Sequence, residues 1–218
     1  MTNPNYTHIA LVLDRSGSMG AIKDETIGGV NLFFSKQREL VKPGTKITVT
    51  LNQFDTEFDS IYDFVDISKV EDRNSKNYEP RALTALYDAI AKTIIQVGKK
   101  LSELPETDRP GSVLVAIVTD GEENSSSDYK DFKKIAEMIK HQTDVYNWEF
   151  VFIGSDLKGM EQARELSVSN RLNYKATKEG TSDAFAKVAR YASAYTMSTR
   201  DGSYEKGTFF KGDEDEDK

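Results

Sequence analysis

The chain has 218 residues, 38% hydrophobic and 30% charged, with a formal net charge of -7. That is enough apolar material for one globular domain with a real core, and the negative balance argues against a nucleic-acid backbone as the main partner. It contains no cysteine, which excludes disulfides, thiolate zinc sites and cysteine-based catalysis.

In chain order, Ile9 to Leu13 is an apolar run that stops at Asp14, the pattern of a buried strand. Ile22, Ile27, Val30, Phe33, Phe34 and Leu40 follow at helical spacing, so a helix is expected from about Met19 to Leu40. Gly28 and Gly29 inside it cost about 1 kcal/mol each relative to Ala, which points to close packing on a sheet. Pro43-Gly44 ends the helix. Ile47 to Phe54 and Phe58 to Phe64 then read as two strands close enough for a hairpin.

After a polar segment from Asp66 to Arg81, a second helix is expected over Ala85 to Leu101, and a nearly all-apolar strand over Val113 to Val118. Tyr129 to His141 reads as a helix and Trp148 to Ile153 as a buried strand. Gly159 to Leu166 and Ser182 to Met197 read as helices, with a short strand over Arg171 to Tyr174. The expected fold is a single doubly wound α/β sheet, mostly parallel, flanked by helices, with one short antiparallel edge strand. The expected domain spans residues 1–200. Residues 201–218, which include the acidic run Asp213 to Asp217, are expected to form a disordered tail.

In such sheets ligands bind beyond the carboxyl ends of the strands, where Asp14 and Asp120 both fall. Asp14-Arg15-Ser16-Gly17-Ser18 sets a carboxylate and two hydroxyls on a short loop, with Gly17 expected to let the backbone turn sharply. Hard oxygen ligands of this kind suit Mg²⁺, with Mn²⁺ or Ca²⁺ as alternatives. Thr84 stands just before the second helix, and Thr119-Asp120-Gly121 directly follows a buried strand. Taken singly, each segment reads as an ordinary helix cap or turn.

Together the three segments resemble the von Willebrand factor type A family over roughly residues 6 to 198. They are Asp14-x-Ser-Gly-Ser-Met, Thr84-Ala-Leu-Tyr-Asp-Ala-Ile, and an apolar strand leading into Thr119-Asp120-Gly121. The resemblance implies a Rossmann-like fold and a metal-ion-dependent adhesion site formed by Asp14, Ser16, Ser18, Thr84 and Asp120. It implies that Ser16 and Ser18 bind the cation directly, and Thr84 directly in the ligand-engaged state, while Asp14 acts largely through water and Asp120 through water, or directly when no partner is present. A carboxylate from an Asp or Glu of a partner protein would complete the coordination. The positive end of the helix beginning near Met19 favours such an anion.

Met19 to Ile22 offers no carboxylate, which argues against the second, adjacent metal of some adhesive members. The compact form is most similar to intracellular bacterial or phage members. Met1 to Tyr6 lacks the layout of a secretion signal, and no apolar run approaches the ~20 residues of a membrane span. A cytoplasmic location, in a bacterium or a phage-infected host cell, is therefore expected, with no membrane partner.

No phosphate-binding glycine loop, dinucleotide fingerprint or nucleophile elbow occurs. His8 and His141 have no ligand-spaced companions and are expected at ordinary surface or edge positions. The expectation is a non-enzymatic, metal-dependent adaptor or regulatory domain. A Mg²⁺-dependent hydrolase or phosphatase, and an assembly protein with a vestigial metal site, stand as alternatives. Glu122, Glu123 and Asn124 are expected to rim the site, and self-association through the acidic tail is a further option.

Overall fold

The computed structural model describes residues 1–155 and 157–210, with backbone alone for 157 and 158. Among these described residues, six strands are joined by five α-helices. They are β1 (Asn3–Asp14), α1 (Lys23–Arg38), β2 (Lys46–Phe54), β3 (Phe58–Asp66), α2 (Leu86–Ser102), β4 (Pro110–Thr119), α3 (Phe132–Tyr146), β5 (Glu149–Gly154), α4 (Leu157–Glu165), β6 (Asn170–Asn173) and α5 (Lys178–Asp201). The sheet order is β3-β2-β1-β4-β5-β6. All neighbouring strands are parallel except β3, which runs antiparallel on β2 at one edge. Among the described residues no helix is long and apolar enough to cross a membrane.

Each central strand is buried on both faces, so its apolar residues sort by parity into two layers. Ile9, Leu11 and Leu13 of β1, with Leu114, Ala116 and Val118 of β4, pack against α1 and α5. Ala10 and Val12, with Val113, Val115 and Ile117, pack against α2 and α3 on the other face. Consecutive connections therefore leave β1 and β4 toward opposite faces. The strand order reverses between them, and in such sheets ligands bind beyond the carboxyl ends of the strands at that point, here beside Asp14 and Asp120.

Three expectations change. A Cβ on Gly29 would stand 2.1 Å from Cγ of Phe185 on α5. The close approach bought by that glycine is therefore helix against helix, while Gly28 has open space where its Cβ would lie. His8 is fully buried in β1. Its ring stacks on Phe64 with centroids 3.7 Å apart, and Nδ1 lies 2.9 Å from the Thr48 hydroxyl. Burial lowers the imidazole to about 3 and keeps it neutral.

The packed chain also continues past residue 200. Gly202 caps α5 in the left-handed conformation that glycine adopts without strain. The chain then folds back so that Tyr204 and Phe210 pack on the core and Phe209 is buried within it. The acidic run, and with it any self-association through the tail, lies outside the described residues.

Candidate metal centre

β1 and β2 pair in parallel register, Leu13 opposite Gln53 and Asp14 opposite Phe54, while Leu13 also faces Val118 of β4. Three adjacent strands therefore finish level with one another, and each is followed or closed by an aspartate: Asp14, Asp55 and Asp120.

Asp14 has no exposed surface. One carboxylate oxygen accepts the Ser16 N–H at 2.6 Å and the other the Thr119 hydroxyl at 2.6 Å. Burial raises its carboxyl to about 6 against the pull of those bonds, and the nearby charge of Asp120 adds to the rise. Below it, the buried Tyr78 hydroxyl donates to the Asp14 carbonyl at 2.7 Å.

The loop after β1 continues into a short 3-10 helix, Gly17–Ile22, before α1 begins at Lys23. Ser16 makes no side-chain cap bond to it. Its hydroxyl lies 3.2 Å from that of Ser18, which donates to Asp120 at 2.6 Å. Gly17 is not in the left-handed region, so conformational freedom is not why glycine stands there. A Cβ on it would touch the Ala82 carbonyl at 3.4 Å, an ordinary contact.

Thr84 is buried, and α2 is capped by Ala85 without a side-chain bond, so the Thr84 hydroxyl is not spent as an N-cap. Its backbone is held from both sides by Asn124, which accepts the Thr84 N–H at 2.8 Å and donates its own N–H to the Thr84 carbonyl at 3.0 Å. Two residues before it, Ala82 sits at a φ of 57°, a left-handed conformation that costs a non-glycine residue about 1 kcal/mol.

The decisive geometry lies at Gly121. A Cβ built there would be 3.2 Å from the Thr84 hydroxyl oxygen, 3.6 Å from that of Ser18 and 3.9 Å from that of Ser16. Hydroxyls from two loops thus surround one point on the third, with Asp120 bonded to the group and Asp14 directly behind it. A 3.2 Å separation of the serine oxygens is close to the ~3 Å edge of an octahedron about a small cation with ligands at about 2.1 Å. The donor set is three hydroxyls and two carboxylates. Among the described residues no cluster of three or more His, Cys, Asp or Glu side chains offers a different kind of metal site.

The chain matches no protein-family model and no curated protein. Solved structures do match it. The PilB minor pilin from Streptococcus sanguinis superposes with a TM-score of 0.60 at 14% identity, over 87% of this chain and 62% of the pilin. A von Willebrand factor type A protein from Catenulispora acidiphila gives a TM-score of 0.52 at 13% identity, over 88% of this chain and 42% of that one. The fold is von Willebrand factor type A-like. A third neighbour, proximal thread matrix protein 1 from the mussel byssus, with its MIDAS motif occupied by zinc, gives 0.55 at 16% identity, over 86% and 46% of the two chains. This chain therefore spans less than two thirds of each of these three proteins.

Several residues that organise the VWA-like edge escape a motif reading. Asp55, with no exposed surface, accepts Arg15 Nε at 2.9 Å and Arg81 Nε at 2.8 Å. Burial alone would raise its carboxyl, but the Glu57 N–H and the two guanidiniums outweigh that and hold it below the usual range. Its signal in the sequence was its place right after the alternating strand Ile47 to Phe54. Glu123 and Asn124 do more than rim the site. Glu123 accepts the Tyr87 N–H at 2.8 Å in the first turn of α2, and Asn124 fixes Thr84. Asp88, within the Thr84-Ala-Leu-Tyr-Asp segment, accepts backbone N–H groups of Ser127, Asp128 and Tyr129 and ties the third loop to α2.

Proposed function

We propose that this chain is a metal-dependent protein-binding domain, with Asp14, Ser16, Ser18, Thr84 and Asp120 holding one divalent cation, Mg²⁺ under cellular conditions. The observation that carries the reading is the convergence of the three hydroxyl oxygens within 3.9 Å of one point beside Gly121. Neutral hydroxyls make up most of the inner set, and the buried Asp14 carboxylate backs them with negative charge without crowding the front. The zinc-occupied motif of the byssal protein and the manganese-loaded Plasmodium vivax TRAP protein, both of similar fold, support a divalent cation at this edge.

Bound there, such a cation supplies an incompletely neutralised positive charge with a water-filled position that an Asp or Glu of a partner can take. Ser16, Ser18 and Thr84 orient the site, and Asp14 and Asp120 fix the hydroxyls from behind and beside. Neither histidine serves it: His8 is enclosed in the sheet, and His141 packs on Tyr146 in the last turns of α3. The placement favours a binding module over a hydrolase.

The test has two parts. Calorimetric titration with Mg²⁺ and Mn²⁺ should show one saturable site that Asp14→Ala removes. Capture from a native lysate should then yield one specific protein with Mg²⁺, lost both in EDTA and with Asp14→Ala. Equal capture under all three conditions would sink the proposal.

A further inference from the structure

The first two loops of the site are not joined by the motif residues themselves. Arg15 lies between Asp14 and Ser16, and Arg81 stands three residues before Thr84. Both guanidiniums meet on a single oxygen of Asp55. The same residue contributes its carbonyl to the Ala85 N–H at 2.9 Å, and its other carboxylate oxygen accepts the Glu57 N–H at 2.6 Å. Asp55 thus grips the first loop at one point and the second on both sides of Thr84. The backbone adds two links between those loops, Arg81 N–H to Arg15 carbonyl at 2.7 Å and Gly17 N–H to Ala82 carbonyl at 3.2 Å.

The charges matter as much as the bonds. Arg15 is nine-tenths buried, with one guanidinium nitrogen lacking a hydrogen-bond partner. A buried cation so close to a cation-binding site would work against it unless neutralised locally. Asp59 meets Arg15 at 2.7 Å, Glu57 meets Arg81, and Asp55 serves both. Three carboxylates around two guanidiniums leave the cluster with an excess of one negative charge, a favourable sign for a neighbouring divalent ion.

From this geometry we infer that Asp55 is a positioning residue for the metal site, setting the first hydroxyl loop against the second and cancelling the two arginines beside them. The inference rests on the metal-site reading above. Asp55→Asn keeps the shape and the acceptor for Glu57 but loses the charge, and should weaken Mn²⁺ binding about tenfold, the lower end for groups that orient metal ligands. Adding Arg81→Gln should recover part of that loss, a rescue that simple destabilisation does not give. Arg81→Lys, at a half-exposed position, retains the charge but loses the guanidinium fork, and should broaden the electron paramagnetic resonance lines of bound Mn²⁺ as the site loosens. That variant decides the matter if Asp55→Asn fails to fold. Wild type that binds Mn²⁺ while Asp55→Asn binds it within twofold, or Arg81→Lys leaves the spectrum unchanged, overturns the role of Asp55 alone. Wild type without saturable Mn²⁺ binding overturns the metal-site reading and this role with it.

Discussion

Asp14 and Glu149 are both buried carboxylates at strand ends, and both are raised by burial, yet their surroundings differ in kind. Glu149 begins β5, at the amino-terminal end of the parallel strands and so opposite the end that carries Asp14. Asn170 donates to one of its oxygens, Tyr204 donates to the other at 2.6 Å, and the buried Phe209 lies against the same cluster, its N–H reaching Asn170 at 3.3 Å. Each partner there has its shape and polarity consumed within the fold. Around Asp14 the bonds go to the Ser16 N–H and Thr119, while the Ser16, Ser18 and Thr84 hydroxyls turn toward a common space beside Gly121. A buried acid does not make a site; hydroxyls held in place by hydrogen bonds that leave oxygen lone pairs facing a common point do.

The sharpest break of this comparison is at the serines. Ser16→Ala with Ser18→Ala should weaken Mn²⁺ binding more than about hundredfold, because two inner oxygens go and no backbone group can replace them. Their bonds are partly exposed, so stability in urea should change little. Unchanged Mn²⁺ affinity in a folded double variant would remove the distinction between the two acids. Tyr204→Phe is the counterpart at the other end. It strips a donor from a buried carboxylate and should cost about 1–3 kcal/mol in urea unfolding. The Mn²⁺ affinity should not move, and a shift in it would mean that the two ends are coupled.

The sheet was legible because its central strands are almost wholly apolar, and the site because its residues fall at strand ends where a doubly wound sheet opens. What was hidden depended on partners distant in sequence. His8 reads as a strand-start residue until Thr48 and Phe64 are brought onto it. Its parity with Ala10 and Val12, which face the interior, was the available clue. Gly29 announces close packing but not against what; only the return of α5 supplies Phe185. The stretch after Gly202 looked loose from its Gly, Ser and Lys content, yet Tyr204, Phe209 and Phe210 are three large apolar bodies that dock on a core already built. Asp55 was obscured because its two arginines lie 40 and 26 residues away in the chain.

The smallest effect expected is the pH dependence carried by Glu149. Burial raises its carboxyl above the ordinary value, and the bonds from Tyr204, the Gly207 N–H and Asn170, with the field of Lys206, only partly offset this. The folded chain therefore holds that proton more tightly than the unfolded chain does. The resulting stabilisation is fully present below the ordinary carboxyl range near pH 4.5 and is lost as pH rises through the raised folded value. Glu149→Gln is uncharged at every pH and has no such loss. Relative to wild type it should gain stability as pH climbs from about 4 toward neutrality, then keep a constant difference. Urea midpoints for the two proteins across that range give the sign directly. A variant that loses ground with rising pH would show that Tyr204, Gly207, Asn170 and Lys206 outweigh burial. The closed end would then hold its carboxylate charged, and would differ from the Asp14 end only in having no hydroxyls left to offer.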